Sequence, residues 1–158
     1  LSVPKVLVDE QIERIENEEK QNLMYRGQTW EEHLAAEGVT AEEHKEQKRQ
    51  LLEVIRAGYK IILTRVAADG FQKDWLGKVL TLEDVEKLGK LKGINLAGEG
   101  GEYESFVLDA PFFSQKIVIN KSIVEHDSEN CAVLCIEIAE LKPKLMPQRA
   151  VFSSFSPS

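Results

Sequence analysis

The character of the sequence changes near residue 50, and this change limits the folds that the chain can adopt. Residues 1–49 carry 12 acidic and 7 basic side chains, net −5, in runs with helical periodicity. Residues 50–158 carry 15 acidic and 13 basic side chains, net −2, and alternate β-branched runs with glycine-containing turns. This pattern predicts an α/β or α+β fold: an N-terminal helical segment followed by a mixed β-sheet with flanking helices.

The first predicted helix covers residues 4–24, "PKVLVDEQIERIENEEKQNLM". Its apolar stripe is narrow and consists mainly of Val8, Ile12 and Ile15. A helix with so thin an apolar face buries little surface by itself. We therefore expect the N-terminal helices either to pack on a neighbouring core or to project as a partner-binding arm.

Two capping boxes mark the starts of two more helices. In "TWEE" and "TAEE" a threonine is followed three residues later by a glutamate, so that each can bond the other's backbone N–H. The sequence predicts a short helix after Thr29 and a longer one after Thr40 that ends at Gly58.

From residue 59 the pattern favours strands. "YKIILTRVAA" is rich in β-branched residues, and "TLEDVEKLGKL" predicts a helix capped by Thr81 with Asp84 at the third position. Four further runs predict strands: "GINLAG", "SFVLDAPFF", "QKIVIN" and "CAVLCIEIAEL". Residues 142–158 combine prolines with a serine cluster and predict a disordered tail.

Composition excludes several functions. The net charge of −7 argues against binding to nucleic acid or an anionic membrane, and no run approaches the roughly 20 apolar residues that span a bilayer. Cys131 and Cys135 would lie about 13 Å apart on one strand face, too far for a disulfide. We interpret them as small core residues in a reducing, cytoplasmic setting.

A glycine-rich turn near residue 100 concentrates negative charge. The stretch "GEGGEYES" holds three carboxylates and three glycines: Glu99, Glu102 and Glu104 with Gly98, Gly100 and Gly101. Glycines let a ligand approach the backbone closely, and the shared strand parity of Glu102 and Glu104 can bring their carboxylates together. Such a turn suits a cation, an amine or a proton-transfer role, whereas a solvated structural turn is the alternative.

The three histidines suggest no site from sequence. His33, His44 and His126 stand apart from one another, and none has a ligand-like or triad-like neighbourhood. We interpret them as surface or core residues and predict no metal site.

Residues 50–140 strongly resemble the carboxyl-terminal half of the diphthine–ammonia ligase family. The most specific pieces are "DWLGK" (Asp74 to Lys78) and "GEGGEYESFVLDAP" (Gly98 to Pro111). The resemblance implies an enzyme that amidates diphthine, the modified histidine of elongation factor 2, with ATP and Mg²⁺ as cofactors and ammonium as nitrogen source. ATP adenylates the carboxylate, and ammonia then displaces AMP.

This resemblance implies roles for the acidic turn. Glu99, Glu102 and Glu104 would hold a cationic substrate or take a proton from ammonium, and Gly98, Gly100, Gly101, Tyr103 and Trp75 would line the substrate side. Trp75 is equally well explained as a core residue. The family's SGGKDS nucleotide loop is absent from the 158 residues, so we do not expect this chain to complete ATP-dependent ligation alone.

Residues 1–49 resemble part of the carboxyl-terminal domain of trigger factor, a chaperone. The similar stretches are "VPKVLVDEQIERI", "YRGQTWEEHL" and "GVTAEEHKEQKR". The two resemblances meet near Arg49–Gln50, which suggests a chimera; a divergent ligase relative with similar helices by chance is the alternative.

These patterns together give a three-part organisation and two candidate functions. We predict a helical segment 1–49, a ligase-like α/β segment 50–141 and a tail 142–158. The first candidate is the substrate-side half of an amidating enzyme; the second is a chaperone-like module whose helical arm binds unfolded clients. Strands missing from the ligase half would leave sheet edges that favour a homodimer or a strand-swapped oligomer.

Overall fold

A computed structural model describes residues 5–67, 73–89, 91 and 103–145 of the chain. Four helices occur in this part: α1 (Lys5–Tyr25), α2 (Trp30–Glu37), α3 (Ala41–Arg56) and α4 (Leu82–Gly89). Four strands occur as well: β1 (Lys60–Ala67), β2 (Tyr103–Asp109), β3 (Gln115–Ser128) and β4 (Cys131–Pro143). A short 3₁₀ turn, Lys73–Trp75, lies between β1 and α4.

Local sequence signals set the helix starts. Thr29 and Thr40 each accept a hydrogen bond from the backbone N–H three residues on, and Glu32 and Glu43 bond back to the threonine N–H. Both predicted capping boxes are therefore confirmed. The Glu43 carboxyl has a lowered pKa because the Thr40 backbone N–H hydrogen-bonds to its ionised form, and the Thr40 side chain assists.

The four strands form one sheet in the order β2-β1-β4-β3, with every strand pair antiparallel. A parallel contact in the described part is limited to an isolated bridge between Leu63 and Leu76. The helices and the sheet confirm the predicted fold class, which is of the α+β kind, but the described strands form an antiparallel sheet and not the predicted mixed one. The predicted strand "GINLAG" lies outside the described residues.

Two apolar clusters stabilise the domain. The first joins β1, β2, β4 and α4 around the fully buried Leu63 and Leu88. The second joins the helices: Val8, Ile12 and Ile15 of α1 pack with Leu52 of α3 and Val85 of α4. The predicted apolar stripe of α1 is confirmed, and its three residues are fully buried on a neighbouring core.

The stripe of α1 continues through a residue that the sequence pattern missed. Glu19 follows Val8, Ile12 and Ile15 on the same helical face and is also buried. Its carboxylate pairs with the Lys48 ammonium of α3, whose side chain is fully buried. The buried face of α1 therefore extends beyond its apolar residues and includes a charged one.

The predicted boundary after residue 49 falls inside α3, and the division into 1–49 and 50–141 stays a prediction. Strand β4 runs through Pro143, so it extends into the predicted tail, and residues 146–158 lie outside the described part. No helix in the described part of the chain is long and apolar enough to cross a membrane.

Candidate functional site

The acidic turn joins the sheet at one end. Tyr103, the first residue of β2, pairs with Val66 near the end of β1, and the neighbouring Ala67 pairs with Cys131 at the start of β4. The predicted site residues Gly98, Glu99, Gly100, Gly101 and Glu102 lie outside the described residues. They directly precede Tyr103 in the sequence, and their roles stay predictions.

Tyr103 and Glu104 occupy opposite faces at this end. Tyr103 is 9% exposed and belongs to the first apolar cluster, so packing fixes its ring. The Glu104 side chain is 64% exposed, and its carboxylate lies 3.8 Å from the Arg65 guanidinium across the strand pair. An exposed pair at this distance contributes little to stability, so the Glu104 carboxylate can exchange Arg65 for another cation.

Trp75 belongs to a turn that is anchored to β1. Its ring is half-buried, packs against the first apolar cluster, and lies 5.6 Å from the Lys78 ammonium. The Gly77 N–H donates to the Leu63 carbonyl at 3.0 Å, and Gly77 has a φ of +75°, which suits glycine. Trp75 therefore acts as a core residue, and its contact with substrate stays a prediction.

Lys78, the lysine of the "DWLGK" motif, stabilises the start of α4. The sequence analysis did not predict this role. The Lys78 ammonium donates to Asp84 Oδ1 at 2.6 Å, while Asp84 Oδ2 accepts from the Thr81 N–H at 2.8 Å. Burial opposes ionisation of Asp84, but the hydrogen bonds from Lys78 and Thr81 outweigh it and lower the pKa of its carboxyl. The predicted cap at Thr81 is confirmed.

The two most specific motifs also meet in a groove at the other end of β2. The groove has a volume of about 410 Å³, and its lining includes Gly77 of the first motif, Leu108 and Asp109 of the second, and Ile117 of β3. The Lys144 ammonium lies 2.8 Å from the Asp109 carboxylate and donates to the Ala110 carbonyl at 2.8 Å. Because β2 has seven residues, this groove lies about 20 Å from Tyr103 at the start of the strand.

His33 and His44 are both buried, in agreement with the interpretation as core residues, but the fold brings together these two histidines, which the sequence analysis placed apart. His33 Nε2 lies 3.2 Å from Glu37 Oε1, and His44 Nε2 lies 3.3 Å from Glu37 Oε2. The turn between α2 and α3 brings His44 back onto the α2 face that carries the other two residues. The i,i+4 spacing of His33 and Glu37 was the signal in the sequence; the position of His44 needed the fold.

Burial disfavours the protonated form of both histidines. Burial is the main cause that lowers the pKa of His33, and the Lys48 and Arg26 charges add to it. Burial also lowers the pKa of His44 to about 3, again with Lys48 adding to the effect. Their ring nitrogens thus keep lone pairs that can bind a metal ion. His126 is exposed on β3.

These elements define a small α+β domain that carries its sequence motifs at both ends of one strand. Residues 46–140 match the family model described as diphthamide synthase C-terminal domain. The chain belongs to this family, and the predicted resemblance to diphthine–ammonia ligases is confirmed.

Three curated relatives that match the chain are diphthine–ammonia ligases. The chain is 35% identical over 136 residues to the diphthine–ammonia ligase of Homo sapiens, which covers 82% of this chain and 45% of the relative. It is 38% identical over 128 residues to the diphthine–ammonia ligase of Mus musculus, an alignment that covers 77% of this chain and 42% of the relative. For the diphthine–ammonia ligase of Schizosaccharomyces pombe the identity is 38% over 107 residues, and the alignment covers 65% of this chain and 18% of the relative. The chain thus spans less than half the length of these relatives.

The predicted trigger factor resemblance and the chimera receive no support from these comparisons. An alignment that covers 82% of the chain is longer than residues 50–158 alone, so it extends into the first 49 residues. The family match also begins at residue 46, upstream of Arg49–Gln50. The ligase similarity therefore crosses the proposed junction.

Proposed function

We propose that this chain forms the substrate side of a diphthine–ammonia ligase-like enzyme. The observation that carries the proposal is the family match over residues 46–140, which includes both "DWLGK" and "GEGGEYESFVLDAP". In this proposal the chain contacts elongation factor 2 at its diphthine residue, in the cytoplasm where translation takes place.

The acidic turn has the charge that such a substrate needs. Diphthine carries a trimethylammonium group, and the nitrogen donor is ammonium, so both reactants are cations. Glu99, Glu102 and Glu104 would bind the trimethylammonium group by charge, and one of them would take the proton that ammonium loses before nitrogen attacks the activated carboxyl. Gly98, Gly100 and Gly101 would let the reactants approach the backbone.

The surroundings of Glu104 support this role. Its carboxylate is exposed at the end of the sheet where β2 begins, and the Arg65 guanidinium, whose side chain is 34% exposed, lies 3.8 Å away. A cationic substrate can therefore displace Arg65 at a small energetic cost. The neighbouring Tyr103 is buried, so packing holds the start of β2 in place.

ATP and Mg²⁺ do not fit the described residues. The glycines with positive φ in this part, Gly27, Gly38, Gly58 and Gly77, are separate turn and helix-end positions and form no phosphate-binding loop. We therefore assign the adenylation step to none of them. Calorimetric titration of the chain with ATP and Mg²⁺, and then with AMP, is expected to give no saturable heat; micromolar binding would show that this chain holds a nucleotide site.

The role of the turn is tested with a cation of defined chemistry. Tetramethylammonium chloride, titrated into the ¹⁵N-labelled chain, is expected to shift the Tyr103 and Glu104 amide signals saturably, whereas sodium chloride at the same ionic strength does not. Glu102→Gln should weaken this binding about three- to tenfold, since it removes one attractive charge. Glu140→Gln is the matched control because Glu140 is an exposed carboxylate on β4.

Equal affinity of the Glu102→Gln and Glu140→Gln proteins for tetramethylammonium would contradict the proposed role and leave the acidic turn as a structural feature. The chaperone-like alternative is not favoured by any observation on the described residues. The apolar stripe that a client-binding arm would present is buried between α1, α3 and α4.

A further inference from the structure

Three potential metal ligands converge inside the helical part of the protein. The ligand atoms of His33, Glu37 and His44 all lie within 4.8 Å of one another. Their side chains are 4%, 1% and 1% exposed. His33 and Glu37 are one turn apart on α2, and His44 lies in the first turns of α3, so the cluster closes the α2–α3 hairpin.

The two histidine nitrogens face the carboxylate without hydrogen bonding to it. His33 Nε2 and His44 Nε2 lie within 3.3 Å of Glu37 oxygens, yet neither nitrogen has a hydrogen-bond partner among the described residues. Buried polar nitrogens are normally satisfied. A metal ion bound by both nitrogens would satisfy them.

The spacing fits such an ion. Zinc bonds to histidine nitrogen and carboxylate oxygen at about 2.0–2.2 Å in a tetrahedron, which places neighbouring ligand atoms roughly 3.4 Å apart. The two nitrogen–oxygen distances, each to a different oxygen of the Glu37 carboxylate, are 3.2 and 3.3 Å, and one ligand atom from each residue lies within 4.8 Å of the other two. We propose that His33, Glu37 and His44 form a zinc-binding site between α2 and α3.

The ligand set has the chemistry for this metal. Two imidazoles and one carboxylate are a known ligand combination for Zn²⁺ and leave a fourth position for a water molecule, whereas Mg²⁺ and Ca²⁺ prefer all-oxygen sites. The Lys48 charge on the next turn of α3 would oppose a cation, but the Glu19 carboxylate pairs with it and offsets that charge. The Arg26 charge also acts on His33, and the negative charge of Glu37 within the cluster opposes it.

Aromatic packing holds the two imidazoles in place. The Trp30 ring lies 5.6 Å from the His33 ring and 5.2 Å from the His44 ring, measured between centroids. Trp30 begins α2 and so orients both rings from one side. Because the ligands are buried and preoriented, the site stabilises the helical hairpin and offers no open face for a substrate.

The test begins with the wild-type chain stripped of metal by a chelator and dialysed. Zn²⁺ titration is expected to show one ion bound per chain and a rise of several degrees in Tm. Co²⁺ in the same site should show the visible absorption of four-coordinate cobalt. In ¹⁵N spectra of the imidazoles, Zn²⁺ should shift the signals of His33 and His44 and leave His126 unchanged.

Variants separate this site from others that bind zinc. Glu37→Gln keeps the side-chain shape and, like His44→Ala, is expected to lower the zinc affinity at least tenfold. His126→Ala and the double variant Cys131→Ser/Cys135→Ser should bind as the wild type does, because His126 is exposed on β3 and both cysteines lie on β4. Circular dichroism of each protein checks that it is folded.

Two results would overturn the proposal. One is a Glu37→Gln protein that is folded and binds Zn²⁺ as tightly as the wild type. The other is a wild-type imidazole spectrum in which Zn²⁺ moves neither His33 nor His44, a result that does not depend on any variant folding. The zinc-site proposal does not rest on the proposed ligase function, so one of the two proposals can be wrong while the other holds.

Discussion

The Lys48 ammonium and the Glu19 carboxylate form an ion pair that is closed to solvent, with side chains 0% and 1% exposed. The pair joins α3 to α1, and Gly89 at the end of α4 lies against the same carboxylate. Burial lowers the pKa of Lys48, and the charge and hydrogen bond of Glu19 act in the opposite direction. Three helices therefore meet at one buried charge pair.

Replacing Lys48 by methionine should destabilise the protein strongly. Methionine fills a similar volume but leaves the Glu19 carboxylate buried without its ammonium, and breaking a buried pair in this way costs about 3–5 kcal/mol. The free energy of unfolding in urea measures the effect. Arg14→Met is the matched control: it breaks the Arg14–Glu86 pair, where the Arg14 side chain is 63% exposed, and should change stability by less than about 1 kcal/mol. Equal losses in the two variants would contradict the account.

The substitution Gly89→Ala should destabilise the protein, although alanine usually stabilises a helix relative to glycine. In an exposed helix, alanine is more favourable than glycine by up to about 1 kcal/mol. At position 89 the new methyl group would collide with the Glu19 carboxylate, which its buried pairing with Lys48 prevents from moving away. We expect a lower free energy of unfolding than in the wild type. A more stable Gly89→Ala protein would mean that Glu19 has room to move.

Asp84 should make part of the free energy of unfolding depend on pH in the acidic range. Its hydrogen bonds from Lys78 and Thr81 lower the pKa of the folded carboxyl below the value of about 3.9 in the unfolded chain. The folded state therefore favours the ionised form. This stabilisation is fully present above the unfolded value and is lost as the pH falls through the lower folded value.

Urea unfolding between pH 6 and pH 2.5 tests this assignment. Asp84→Asn should remove part of the acid-dependent loss seen in the wild type, whereas Glu83→Gln, at the exposed neighbouring position, should retain it. Identical pH profiles for the wild type and Asp84→Asn would assign the acid sensitivity to other groups.

The outer edge of β3 should support self-association. Strand β3 has 14 residues at one edge of the sheet, and Ile123 and Val124 on it are 42% and 40% exposed. An edge of this length presents unpaired backbone groups to a second chain. We expect a dimer in light scattering at high concentration and a monomer for Ile123→Lys. A wild-type chain that stays monomeric under these conditions would contradict this prediction.

The sequence was sufficient for features whose signals are local. The capping boxes at Thr29 and Thr40 and the cap at Thr81 depend on residues three positions apart, and the structure contains all three. Strands β1, β3 and β4 contain several β-branched residues, whereas β2 combines Val107 with two aromatic residues. The family motifs were likewise readable because they are contiguous in the chain.

Features that depend on the packing of distant elements could not be read from the sequence. Lys48 lies in the charged run "EEHKEQKRQ", which is typical of a solvated helix, yet it is buried because α3 faces Glu19 of α1. His44 reaches His33 and Glu37 only after the chain reverses between α2 and α3. The cross-strand contact of Glu104 with Arg65 depends on the register of β1 with β2.

We propose above that this chain binds the cationic diphthine side chain. Calorimetric titration of the wild-type chain against two forms of elongation factor 2, one carrying diphthine and one with the unmodified histidine, tests it most directly. We predict binding at least about tenfold tighter to the diphthine form, which corresponds to about 1.4 kcal/mol. Equal affinity for the two forms, or no binding to either, would contradict the claim.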